Sequence, residues 1–134
     1  MKIIIKSYWL YLVKIVILLS QHYELKLYLI DKKSFKKLLL NTEGLKNICC
    51  LNVGVSDICG TALFGMRGGR NSGISGGKTE IEFATVDSIA REEDITFIKM
   101  DVEGEERKTI LGASDTIRRN RPKMLVSCYH RTDD

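Results

Sequence analysis

Met100-Asp101-Val102-Glu103-Gly104-Glu105-Glu106 decides how this chain is read. Before it stands Thr96-Phe97-Ile98-Lys99, and together they predict a β-strand over Thr96–Met100. Asp101 then closes the strand at its carboxyl end, where open α/β sheets bind their ligands. Strand alternation puts Lys99 and Asp101 on one face, with Glu103 next in the series. Two carboxylates at a strand end beside a glycine can orient a hydroxylated substrate or take its proton. A plainer reading competes: acids in the first turn of a helix complement its dipole, as Arg118, Arg119 and Arg121 complement the other end. That reading is preferred for Glu105 and Glu106, and the two stand side by side for Asp101.

Downstream, a helix is predicted over Glu105–Arg119, with Ile110, Leu111, Ala113, Ser114 and Ile117 as its inner stripe, stopped by Asn120 and Pro122. A strand over Lys123–Cys128 follows. Tyr129-His130 lies at its carboxyl end, and a histidine titrating near neutrality suits a general base. Upstream, Thr61–Phe64 and Thr79–Val86 predict strands flanking the glycine-rich segment Gly65–Gly77. Ile81 and Phe83 alternate with Glu80 and Glu82, which predicts an antiparallel hairpin. Gly77-Lys78-Thr79 resembles the end of a phosphate-binding loop, but Ser72 stands where that motif needs glycine and no helix follows. A mobile hairpin tip is the preferred reading, and a substrate lid is the next.

Leu25–Ile30 predicts a strand ending on Asp31. Ser34 can cap a helix holding Phe35, Leu38, Leu39 and Leu40, which stops near Asn41–Gly44. Ile48–Val55 predicts a strand closed by the turn Ser56-Asp57. Strand, helix, strand in some thirty residues is the rhythm of parallel strands with a crossover helix. The expected class is α/β, with three or four parallel strands and one inserted antiparallel hairpin. Asp31 and Asp57 each close a parallel strand, where a carboxylate can take ribose hydroxyls or serve as a turn or cap residue.

With 134 residues the chain has room for one core. Its charge is +4, and the basic excess is confined to residues 1–47, which carry nine Lys against three acids. Lys32, Lys33, Lys36 and Lys37 are best read as the solvated face of one helix, so no nucleic-acid partner is expected. Cys49, Cys50, Cys59 and Cys128 have no metal-ligand spacing and are expected to be small buried residues of a cytoplasmic protein. Ile3–Ser20 is apolar, but Lys6 and Lys14 interrupt it, leaving no run of the ~20 residues a membrane helix needs. A buried helix or strand, or an N-terminus foreign to the domain behind it, is favoured there over a membrane anchor. The expected organisation is an apolar segment over 1–22 followed by a domain over 23–134.

The run Thr96–Glu106, then Leu111-Gly112-Ala113, Arg121-Pro122-Lys123 and Tyr129-His130, resembles the C-terminal signature of the FkbM family of S-adenosylmethionine-dependent methyltransferases. Asp31–Leu38, Asn52–Asp57 with Gly60-Thr61, and the pre-signature strand Thr85–Ile89 also resemble family segments. The resemblance implies a partial Rossmann-like methyltransferase sheet carrying S-adenosyl-L-methionine across its strand ends. It also implies methyl transfer to a small-molecule hydroxyl, sugar- or polyketide-like. Asp31 would lie near the ribose and Asp57 near the adenine. Asp101, Glu103 and His130 would line the acceptor side, with His130 or Asp101 as the base. The family's glycine-rich first strand and loop finds no counterpart in residues 1–22, which hold no glycine, and the family continues beyond Asp134. The expectation is therefore a sheet without its central first strand, with a second chain as one way to supply it. The alternative readings are a non-catalytic remnant that binds a partner or nothing, and a membrane-associated protein in which residues 1–20 anchor a cytoplasmic domain.

Overall fold

The computed structural model describes residues 2–5, 23–64, 79–102 and 104–127. Five strands form the main sheet: β1 (Lys2–Ile5), β2 (Glu24–Tyr28), β3 (Ile48–Leu51), β7 (Ile95–Met100) and β8 (Lys123–Val126). Their order is β3-β2-β1-β7-β8, and every pairing is parallel. This corrects the expectation of a missing central strand. Lys2–Ile5 fills that place, with Ile3 level with Leu25 on one side and Phe97 on the other. A run of β-branched residues too short for a membrane span is well suited to the middle of a parallel sheet.

A second sheet holds β4 (Gly54–Val55), β5 (Gly60–Phe64) and β6 (Thr79–Ala84) in the order β4-β6-β5. β5 and β6 are antiparallel, from Gly60 opposite Phe83 to Phe64 opposite Thr79, so the expected hairpin is present. Ile81 and Phe83 are buried while Glu80 and Glu82 are exposed, as the alternation required. The glycine-rich segment between these strands lies outside the described residues. The strand expected over Ile48–Val55 is instead two, β3 and β4, which belong to different sheets. Gly54 permits the second to approach β6: a Cβ there would stand 2.4 Å from the Phe83 ring.

The helices are α1 (Lys32–Thr42), α2 (Val86–Ala90), α3 (Glu106–Leu111) and α4 (Ser114–Asn120). Asp31, not Ser34, caps α1, accepting the Ser34 N–H at 2.7 Å. Thr85–Ile89, expected as strand, is the capped start of α2, because Thr85 Oγ1 takes the Ser88 N–H. The single helix expected over Glu105–Arg119 is broken at Gly112-Ala113. Of the expected inner stripe, Ala113 is buried and Ile117 packs against the core, whereas Ile110, Leu111 and Ser114 are exposed. Glu106, Thr109 and Thr116 are buried in the two helices. Asp87 supplies the cap that α4 lacks locally, accepting the N–H groups of Asp115 (3.1 Å) and Thr116 (2.7 Å).

The sheet has an apolar cluster on each face. Leu25, Leu27 and Leu38, with Phe35 and Phe97 against them, fill the space under α1. Tyr28, Val55, Val86, Ala90, Ile98, Met100 and Ala113 form the other cluster. Ile95 joins the latter because the β1–β7 register shifts between Lys2 and Ile3, opposite Ile95 and Phe97, which resets the alternation. Cys49 and Cys59 are exposed and Cys50 is half-buried, contrary to the expected burial, and all three are free. Cys49 and Cys50 lie on β3, an edge strand whose faces are incompletely covered. Among the described residues no helix is long and apolar enough to cross a membrane.

Candidate functional site

Because the main sheet is parallel, all its carboxyl ends lie along one edge. The chain leaves β1 toward β2 and β3 on one side, and β7 and β8 lie on the other, so the order reverses at β1. Ligands of open α/β sheets bind in the crevice at such a point. Asp101 directly follows β7, and Asp31 lies three residues beyond β2. With strands ~4.8 Å apart, the ends of β2 and β7 stand about 10 Å apart, with the end of β1 between them.

Asp101 is buried, 7% exposed, between the end of β7 and Val102. The loop after it is held from α3. The Glu106 carboxylate accepts the Val102 N–H at 3.0 Å and the Gly104 N–H at 2.8 Å. Gly104 has φ 91°, a left-handed value that costs glycine little and other residues more. Glu105 pairs with Lys108 at 3.1 Å. Glu105 and Glu106 thus make contacts local to the start of α3, and the Glu106 bonds to the loop are ones the helix-dipole reading did not foresee.

Asp31 stands on the other side of β1. Hydrogen bonds from Ser34, the hydroxyl first and the N–H second, hold its carboxyl below the usual carboxylate range. Asn52 fastens the neighbouring strand ends together, its side-chain amide donating to Leu29 O (2.6 Å) and Ile30 O (3.0 Å). Sequence reasoning missed that role. An asparagine just past one strand and level with the end of another is the pattern that could have pointed to it.

Asp57 is exposed and follows β4 of the small sheet rather than a strand of the main one. Its carboxylate accepts the Ser56 hydroxyl at 3.1 Å. α3 connects this turn to the Asp101 loop. Thr109 donates from its hydroxyl to Val55 O at 3.0 Å. Gly112 lies so close to Ser56 that a Cβ would come within 2.1 Å of its carbonyl oxygen. Glu106, Thr109 and Gly112 recur every three residues, so one face of a six-residue helix, about 9 Å long, touches both segments. Glu103 and His130 lie outside the described residues. No group of His, Cys, Asp and Glu suited to a metal ion occurs among the described residues.

Comparison with known proteins places this geometry in context. A search of curated proteins finds no match. The crystal structure of Methyltransferase FkbM from Methylobacillus flagellatus KT superposes with a TM-score of 0.73 at 20% identity. The overlap takes in 99% of this chain and 34% of that one, so a shared fold extends over about a third of the larger protein. The profile of the Methyltransferase FkbM domain matches residues 29–134, from the end of β2 through the Asp101 loop and beyond. The chain belongs to the FkbM methyltransferase domain family.

Proposed function

We propose that this chain carries out, or descends from a domain that carried out, S-adenosylmethionine-dependent methyl transfer to a hydroxyl of a sugar- or polyketide-like small molecule. The observation that carries the reading is the buried carboxylate of Asp101, at the carboxyl end of β7 and beside the point where strand order reverses. Family membership supports methyl transfer as the reaction type.

The cofactor, when bound, supplies a methyl group already activated on a sulfonium. The protein's part is to align donor and acceptor and to remove the acceptor proton. Asp101, buried at a strand end, is suited to accept that proton, and the family resemblance assigns Glu103 and His130 to the acceptor as well. The residues fit the cofactor's polar groups. Asp31, whose carboxyl is held below its ordinary range by Ser34, is assigned to a ribose hydroxyl, which a carboxylate can accept from alongside its cap bond. Asp57, exposed at its turn, is assigned to the adenine.

Residues 6–22, which follow the central strand, contain no glycine. That favours a second reading, a non-catalytic domain that keeps the fold and binds a partner. Calorimetric titration with S-adenosylhomocysteine separates the two. Micromolar binding, about −8 kcal/mol, together with transfer that Asp101→Asn lowers steeply to a residual, measurable rate, supports the first. A folded chain that binds no cofactor supports the second, and transfer unaffected by Asp101→Asn removes that residue from the chemistry.

A further inference from the structure

The proposed chemistry makes no direct use of Glu106, yet its side chain is the most deeply buried carboxylate among those whose exposure is given, at 2%. Its two oxygens do different work. Oε1 accepts from Val102, the residue after Asp101, and Oε2 accepts from Gly104. A carboxylate is an acceptor at both oxygens, and charge-assisted bonds to N–H groups are short and strong. The loop is therefore gripped at two points just past Asp101, by a residue that is itself anchored. Three residues further along α3, Thr109 holds Val55 O, and three beyond that Gly112 rests on Ser56.

We propose that Glu106 is a positioning residue for the transfer reaction, acting through Asp101. Its grip on the Val102 and Gly104 amides fixes the orientation in which the Asp101 carboxylate meets the acceptor hydroxyl. The inference rests on the reading of Asp101 as proton acceptor given above. A small misplacement of a reacting group is costly to the rate and leaves distant binding contacts unchanged.

Glu106→Gln is the informative change. It keeps the size and one acceptor oxygen, but turns an NH2 donor toward one of the two backbone donors. In the full chain, kcat is expected to fall by about 10- to 100-fold. The acceptor KM and the affinity for S-adenosylhomocysteine should stay within about twofold. In the Asp101→Asn background the same change should cost nothing further, because a positioning effect disappears with the group positioned. Through-hydrogen-bond NMR couplings from the Val102 and Gly104 amides to the Glu106 carboxylate carbon, measured on the unmodified protein, test the grip without any variant. Missing couplings overturn the proposal, as does an unchanged kcat or a loss that persists in the Asp101→Asn background. A kcat lowered by Asp101→Asn but not by Glu106→Gln sinks this inference alone. No transfer by the unmodified chain sinks the functional reading and this inference together.

Discussion

Lys26 and Glu93 form an ion pair, Nζ to Oε2 at 2.6 Å, that joins β2 to the segment leading into β7. Lys26 belongs to β2, Glu93 precedes β7, and β1 runs between those two strands. Lys26 also reaches Ile89 O at 3.5 Å, so it ties the end of α2 to β2 as well. The side chains are 19% and 31% exposed, which leaves the pair partly desolvated. Removing one partner strands the other charge, whereas removing both does not. Lys26→Met or Glu93→Gln alone should cost about 1–2 kcal/mol in urea denaturation. The double variant should lie closer to the unmodified protein than the sum of the two. Additive losses would show that the two side chains contribute separately.

Gly112→Ala should be among the most damaging single-methyl changes in the chain. The new Cβ would meet backbone, the Ser56 carbonyl oxygen at 2.1 Å and the Asp57 Cα at 3.2 Å, and neither can rotate aside. The α3–α4 corner would have to lift off the turn, at a cost of about 3 kcal/mol or more. Gly54→Ala meets the Phe83 ring first, and a second change, Phe83→Leu, should recover part of its loss. Equal thermal midpoints for Gly112→Ala and the unmodified protein would contradict this packing.

The same contact explains which parts of the fold were legible in the sequence. β7 was readable because Thr96–Met100 is a β-prone run closed by Asp101, and the β5–β6 hairpin because Ile81 and Phe83 alternate with glutamates. The break at Gly112 was not, because 105–119 has helical spacing throughout and the break comes from Ser56, more than fifty residues away. β1 was obscured for a similar reason. Lys2–Ile5 is too short to show a period, and only pairing with β2 and β7 makes it a strand. Of the candidate residues, the position of Asp101 directly after a strand and of Asp31 at a helix cap was legible in the sequence. The grip of Glu106 was not, since spacing alone cannot show a first-turn glutamate folding back onto the loop before it.

Asp31 gives the fold a defined acid sensitivity. Hydrogen bonding from Ser34 lowers its folded value below the ordinary 3.8. A lowered carboxyl adds stability that is fully present above the unfolded value and lost as pH falls through the folded one. Asp31→Ala should therefore cost about 1 kcal/mol at neutral pH, the worth of a helix cap. The difference from the unmodified protein should shrink as pH drops below 3.8. Urea midpoints compared at pH 7 and pH 3 test this, and a gap that does not narrow would mean the loss comes from something other than the cap.

Tyr28 should behave in the opposite sense to most buried tyrosines. Its ring lies in the core at 1% exposure, and its hydroxyl has no hydrogen-bond partner among the described residues. Burial pushes its ionisation up from the ordinary 10.0, and the nearby Cys49 and Glu93 add to the rise. Tyr28→Phe removes an unsatisfied polar atom while keeping the ring. Where a bonded hydroxyl is lost the usual cost is about 1 kcal/mol, but here the change should be neutral or stabilising by up to about 1 kcal/mol. A raised folded value adds stability that is present below the unfolded pKa and lost as pH climbs past it. The unmodified protein should therefore weaken above pH 10.0 more than the Phe variant does. Denaturant midpoints at pH 7 and above pH 10 decide the matter. A loss exceeding 1 kcal/mol at pH 7 would reveal that the hydroxyl has a partner after all.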